Sequence, residues 1–215
     1  MSIKLNAQSG GSVALDAPTQ TTGSADVTLT LPVDAGSNGQ VIQTNGSGVL
    51  SYTSKGKLVG HGITYKTDTA YADVGYPTRT PDLIYLDYAA SNSNNKLLIM
   101  ANLAISNENS NRTYGELYIG GSLATGAIAD AASNRSRAAF IAQPNDDNNK
   151  IILMHHNYIH GGNGTTSTST TRYSYRFFHE NASNRYVLLN RSWNDSDNQL
   201  DARAASSIVI LEFEP

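Results

Sequence analysis

The residues able to do chemistry are few. The chain has five histidines, eighteen acidic residues and no cysteine. Three histidines fall in one run, Met154-His155-His156-Asn157-Tyr158-Ile159-His160. Neighbours on a strand point to opposite faces, so His155 and His156 cannot serve one ion within one chain. The run therefore predicts polar strand residues and no metal site. Asp195-Ser196-Asp197-Asn198-Gln199 sets oxygen groups at alternate positions, as calcium loops do, but lacks the glycine and closing glutamate of an EF-hand loop. It reads as a solvated turn, as does Asp146-Asp147 within its Pro and Asn cluster. Without cysteine there is no thiolate nucleophile, disulfide scaffold or Cys-ligated zinc. No Gly-x-Ser-x-Gly, His-Glu-x-x-His or phosphate-loop pattern occurs. Nor is there the rung period of the long β-helices that house glycoside-cleaving carboxylate pairs. The expectation is a protein with no catalytic residue and no cofactor.

Binding is the chemistry left to consider. Tyrosine outnumbers phenylalanine, 12 to 4, and there is one tryptophan, Trp193. On one expected strand Tyr173 and Tyr175 share a face, with Arg172, Ser174 and Arg176 on the other. A tyrosine ring can fill a core while its hydroxyl reaches a partner. Tyrosine, tryptophan and asparagine also line carbohydrate platforms. Tyr158, Tyr173 and Trp193, with Asn163 and Thr165 of a nearby loop, are the candidate binding residues on that reading. The other reading places these rings in the core and in subunit contacts. The loop itself, Gly161–Thr171, is low in complexity and is expected to stay exposed between two long strands.

These residues need elements to carry them, and composition restricts which. Ser, Thr and Asn together number 63 against 33 charged residues. Short neutral polar groups are weak helix formers, so the chain suits a β-rich, loop-rich protein. Its net charge of −3 gives no cationic footprint for nucleic acid. With no long apolar run and no leader of the charged-then-apolar kind, neither membrane insertion nor Sec export is expected.

Composition shifts near residue 55, which divides the chain into parts 1–54 and 55–215. Up to that point there is no Arg or His and one aromatic, Tyr52. Val27-Thr28-Leu29-Thr30-Leu31 alternates with period two and stops at Pro32, which predicts a strand. Gln40–Thr44 and Gly48–Tyr52 flank an Asn45-Gly46 turn and predict a hairpin. So small a part cannot bury a core by itself. Val27, Leu29, Leu31, Val41, Ile42, Leu50 and Tyr52 are thus expected to pack against sister copies or a neighbouring protein.

The second part predicts nine strands: Lys57–Tyr65, Ile84–Ala89, Lys96–Ser106, Thr113–Ile119, Ala138–Ala142, Lys150–Tyr158, Arg172–His179, Tyr186–Ser192 and Ser207–Phe213. Leu97, Ile99, Ala101, Leu103 and Ile105 would line one face of their strand. In the last strand Ile208 and Ile210 oppose Val209, Leu211 and Phe213, predicting burial on both faces. Only 130–139 could pass for a helix. The fold class expected is all-β: a short N-terminal hairpin or stalk element, then an antiparallel β-sandwich of the jelly-roll kind.

The segment from Leu29 to Tyr52 resembles a cassette of bacteriophage tail fibres and related virion proteins. There a Leu-Pro-x-x-x-Gly-x-x-Gly-Gln-Val-Leu element leads through an Asn-Gly-x-Gly turn to Leu-Ser-Trp; here Ile42 and Tyr52 replace Leu and Trp. Tyr65–Tyr71, Arg112-Thr113-Tyr114 and the ending Ala205–Glu214 resemble the jelly-roll-like heads of small marine and cyanobacterial phage fibres. The resemblance implies a homotrimeric virion appendage made in the bacterial host cytoplasm. Residues 1–54 would attach it to other virion proteins, and its head would meet a host-surface receptor such as a glycan. A capsid decoration protein, head fibre, or baseplate or neck component shares these features, as does, outside a virus, a lectin-like module.

Overall fold

A computed structural model of the chain describes residues 3–6, 9–10, 12–15, 18–53, 56–107, 112–131, 133–143, 150–180, 185–196 and 201–214. The chain divides into two compact units, Met1–Lys55 and Gly56–Pro215.

The first unit holds two antiparallel hairpins. Strands β1 (Ile3–Asn6) and β2 (Ser12–Leu15) form one; β3 (Val41–Thr44) and β4 (Leu50–Thr53) form the other. The Asn45 side chain closes the second turn, its Oδ1 accepting from the backbone N–H of Ser47 at 2.8 Å and of Val49 at 3.2 Å. Val27–Leu31 is not the strand its alternation predicts. Only Thr30 pairs, in a parallel bridge to Val49, donating to Gly48 O and accepting from Leu50 N–H at 2.8 Å each. The contact is tight at one point: a Cβ on Gly48 would lie 2.3 Å from Thr28 O. Pro32 follows directly and has no N–H to extend the ladder.

The second unit comprises β5 (Leu58–Lys66), β6 (Ala70–Val74), β7 (Ile84–Tyr88), β8 (Lys96–Asn107), β9 (Thr113–Ile119), β10 (Ser122–Leu123), β11 (Phe140–Ala142), β12 (Ile152–Gly161), β13 (Thr171–His179), β14 (Arg185–Leu189) and β15 (Ser206–Phe213). They make two antiparallel sheets packed as a sandwich. In the first sheet, β8 is the spine. β12 pairs with one edge of it from Lys96 to Ile105. The opposite edge takes β15 over Lys96–Asn102 and β14 over Ile105–Asn107. β5 flanks β15, and β6 flanks β14. In the second sheet β9 lies between β13 and the short β10 and β11, with β7 beyond β13.

Alternation fixes the core. Leu97, Ile99, Ala101, Leu103 and Ile105 meet Tyr173, Tyr175, Phe177, Leu117, Val187, Leu189, Ile208 and Ile210, all at most 1% exposed. Three expectations are corrected. In β15 only the Ile208 and Ile210 side is buried; Val209, Leu211 and Phe213 are half-exposed, because no described strand of this unit lies beyond that sheet. The described residues of 130–139 form no helix; Ala129 N–H donates to Ala138 O and Ala139 N–H to Gly115 O, an extended return towards β9. The loop after β12 joins the two sheets and is exposed at 163–165 and 168–170, as expected, but Gly162 and Thr166 are buried. Thr166 donates to Asn95 O at 2.6 Å and accepts from Gly162 N–H at 2.9 Å. Its hydroxyl satisfies backbone groups that composition alone assigns to water.

Candidate functional site

The first unit presents exposed apolar side chains along residues 18–53. Between residues 18 and 53 no residue is buried. Val27, Leu29, Leu31, Val41 and Ile42 are exposed, Val33 entirely so, while Leu50 and Tyr52 are half-buried. The Tyr52 ring lies on Gly36, where a Cβ would come within 2.7 Å of it, and Gly36 adopts φ +67°. Asp34 Oδ1 accepts from the Gly36 N–H at 2.9 Å, and Gln40 Oε1 from the Ser37 N–H at 2.7 Å, which shapes the turn beneath the ring. Leu31, Val33, Val49 and Tyr52 line a groove of about 700 Å³. Exposed aliphatic groups around a pinned aromatic form a surface that gains by being covered.

The candidate binding residues of the sandwich do not converge. Asn163 and Thr165 are exposed in the crossing loop, where Thr165 Oγ1 donates to Gly162 O at 2.6 Å. Tyr158 is half-buried against the core, its ring 6.4 Å from that of His160. Tyr173 is withdrawn as a surface residue: it is 1% exposed and points inward, because its strand turns Arg172 out and Tyr173 in. Burial and the Glu212 carboxylate push its hydroxyl up to about 12. Trp193 lies elsewhere, 5.2 Å from Tyr186, which is 5.9 Å from the exposed Tyr71. Arg191 stands 5.4 Å over the Tyr71 ring. Along β8, Tyr158 is level with Ile99, and Leu188, beside Tyr71, is level with Ser106. Seven residues separate these levels, about 23 Å of strand. The aromatic trio Tyr71, Tyr186 and Trp193 was not legible as a group, since its members come from three segments.

Arginines hold Glu116, Asp87, Asp82 and Asp195. Arg79 forks onto the buried Glu116 at 2.8 and 3.0 Å and stacks 4.1 Å over Phe178. Arg172 forks onto Asp87 at 2.9 and 3.0 Å and lies over Tyr85; Arg176 bonds Asp82 at 2.7 Å and lies over Tyr118. The Arg172 bond holds Asp87 below the usual carboxylate range. Asp195 is bound by Arg191 at 2.7 Å and Arg203 at 2.5 Å, which likewise lowers its pKa, so this residue is ion-paired instead of merely solvated. Asp197, Asn198, Gln199, Asp146 and Asp147 lie outside the described residues. His155 faces out and bonds Asn102, whereas His156 faces in, with Nδ1 2.7 Å from Tyr175 Oη. Burial lowers the pKa of His156 and His160. No group of three metal-ligating side chains occurs among the described residues, and no helix among them is long and apolar enough to cross a membrane.

No family model matches the chain, and no curated protein matches its sequence. Among solved structures it is similar to that of the infectious bursal disease virus Gx strain, at 10% identity and a TM-score of 0.37, over 76% of this chain and 42% of that chain. It is also similar to the infectious bursal disease virus VP2 subviral particle, at 10% identity and 0.37, over 77% and 44%. The chain spans less than half the length of either.

Proposed function

We propose that the chain is a non-enzymatic structural component of a phage virion, a trimeric appendage of the tail-fibre or tail-tip type. Its first unit joins copies to each other and to the particle, through Val27, Leu29, Leu31, Val41, Ile42, Leu50 and Tyr52; its sandwich is the head. One observation carries the reading: a stretch with the fibre-like cassette buries no side chain of its own. A partner that covers it removes apolar surface from water, at roughly 25 cal/mol per Å². Trimeric display would multiply weak receptor contacts through effective concentration. The test is deletion of residues 1–54 followed by particle assembly. The head is expected to stay folded and fail to join the particle; incorporation at the wild-type level refutes the attachment role.

A second reading, recognition of a host-surface glycan, is favoured by Tyr71, Tyr186 and Trp193, which line up on one surface beside Arg191. Aromatic faces stack on sugar C–H groups while neighbouring polar groups bond the hydroxyls. Glycan-array binding that is lost in Trp193→Ala supports it. A capsid decoration or neck component differs only in where the first unit docks, which antibody labelling of the particle decides.

A further inference from the structure

The two sheets turn different chemistry outward. The second sheet shows the arginine–carboxylate pairs of Arg172, Arg176 and their partners. On the first sheet, alternation places Leu98, Met100 and Asn102 opposite the core residues of β8, and the registers align them across four strands. One row runs His61, Leu211, Leu98, Ile159; the next Ile63, Val209, Met100, Asn157; the third Tyr65, Ser207, Asn102, His155. None of these residues is Asp, Glu, Lys or Arg, and Lys96 stands only at the rim, beside Phe213.

Farther along the same side the sheet is covered. Ala104 and Leu188 are fully buried there. At that level Asn190 N–H continues the β14 ladder to Ala104 O at 2.9 Å, and Trp193 stands against Tyr186. Over β5, β15, β8 and β12 the face stays open: Ile63, Tyr65 and Ile159 are 45%, 70% and 64% exposed.

We infer that this four-strand patch is a contact face between copies of this chain, each patch turned towards those of its neighbours. The inference rests on the reading that copies associate, and adds a contact in the sandwich to the one in the first unit. An uncharged, pleated surface can be buried against others of the same chemistry, as the inner faces of packed sheets are. A second copy supplies such a surface at no cost in charge desolvation, and its Asn, His, Ser and Tyr rim groups offer both donors and acceptors. Four strands and the five residues from Leu98 to Asn102 span about 300 Å² of sheet plane, and side chains standing off it raise the accessible area towards the ~800 Å² per partner of a specific interface.

The absence of native cysteine gives a clean test on the full chain. Val209→Cys places one thiol at the centre of the patch, and Tyr85→Cys places one on the outer side of the other sheet. Each is treated with a short bis-maleimide at a concentration where light scattering shows assembly. Covalent pairs from Val209→Cys and not from Tyr85→Cys are expected. No pairs from Val209→Cys, equal pairing from both, or a monomer at every concentration overturns the patch. Val33→Asp separates the two contacts: if it abolishes assembly while Val209→Cys never pairs, the first unit alone joins copies. If Val209→Cys still pairs in the Val33→Asp chain, the patch joins copies without help from the first unit.

Discussion

Ser206 donates to Asn190 Oδ1 at 2.6 Å, in the gap where β14 ends and β15 begins on the same edge of β8. Both residues are fully buried. Ser206 Oγ also accepts from Ala104 N–H at 2.9 Å, and Asn190 Nδ2 donates to Lys66 O at 2.7 Å and Asp68 O at 2.9 Å. Asn190 N–H carries the β14 ladder one step further, to Ala104 O at 2.9 Å, the Ser206 hydroxyl takes the Ala104 N–H, and the Asn190 side chain fastens the β5–β6 turn to the gap.

Asn190→Ala leaves two carbonyls and a serine without their partner, at a position with φ +67° that asparagine tolerates and alanine resists. A loss of about 3–5 kcal/mol is expected. Ser206→Ala is expected to cost about 1–3 kcal/mol, since it removes one donor and one acceptor. The double variant should cost less than the sum, as the two residues share a bond. Urea denaturation at neutral pH measures all three, and strict additivity contradicts the shared network.

Glu212 is a buried carboxylate bonded by Asn95 Nδ2, Ser91 N–H and Oγ, and Tyr88 Oη at 2.6–2.8 Å. All are donors, so Glu212→Gln points an amide N–H₂ at one of them. The expected cost is about 2–4 kcal/mol. Glu212→Gln melting at the wild-type temperature would show that these bonds do not fasten β15 to the β7–β8 loop.

His156 and His160 are held neutral by burial, so their folded pKa lies below the unfolded 6.5. Between those values the unfolded chain binds more protons than the folded one. Their stabilisation is therefore complete above about pH 6.5 and lost as the pH falls below it. Glu212, lowered below 4.5 by its bonds against the opposing effect of burial, adds a further loss as the pH falls through its folded value. Melting temperature recorded from pH 8 to 4 should decline from about 6.5, and His160→Gln should flatten the first part of that decline. A flat profile from pH 7 to 5 in the wild-type chain rules this out.

Adjacent residues of β15 should behave oppositely. Ile210 is fully buried and Val209 lies on the open patch. Ile210→Asp strands an unpaired charge in the core and should block folding. Val209→Asp should fold and stay soluble. Circular dichroism and solubility compare them, and a folded, soluble Ile210→Asp refutes the core assignment.

Gly36→Val puts a branched side chain into the Tyr52 ring at a left-handed position. It should disorder the first unit and leave the sandwich melting unchanged. Limited proteolysis should then cut within residues 1–55 while a fragment from about residue 56 survives; equal resistance to wild type would separate Gly36 from the seating of Tyr52.

Local pattern determined much of this protein. The alternation of Leu97 to Ile105 marked the core side of β8, and the Asn45-Gly46 pair marked its turn, because both signals act within a few residues. Strand-level patterning also separated inward Tyr175 from outward Arg172 and Arg176. It could not locate β6 (Ala70–Val74), whose one large aliphatic residue is Val74. Nor could it see that Tyr71, Tyr186 and Trp193 meet, or that Thr166 packs. Alternation says that two faces differ, not what lies beyond each: Val209, Leu211 and Phe213 look as buried in sequence as Ile208 and Ile210. Only the stacking of one sheet on the other decided which face became core and which stayed open, because burial is a property of the layers around a strand and not of the strand.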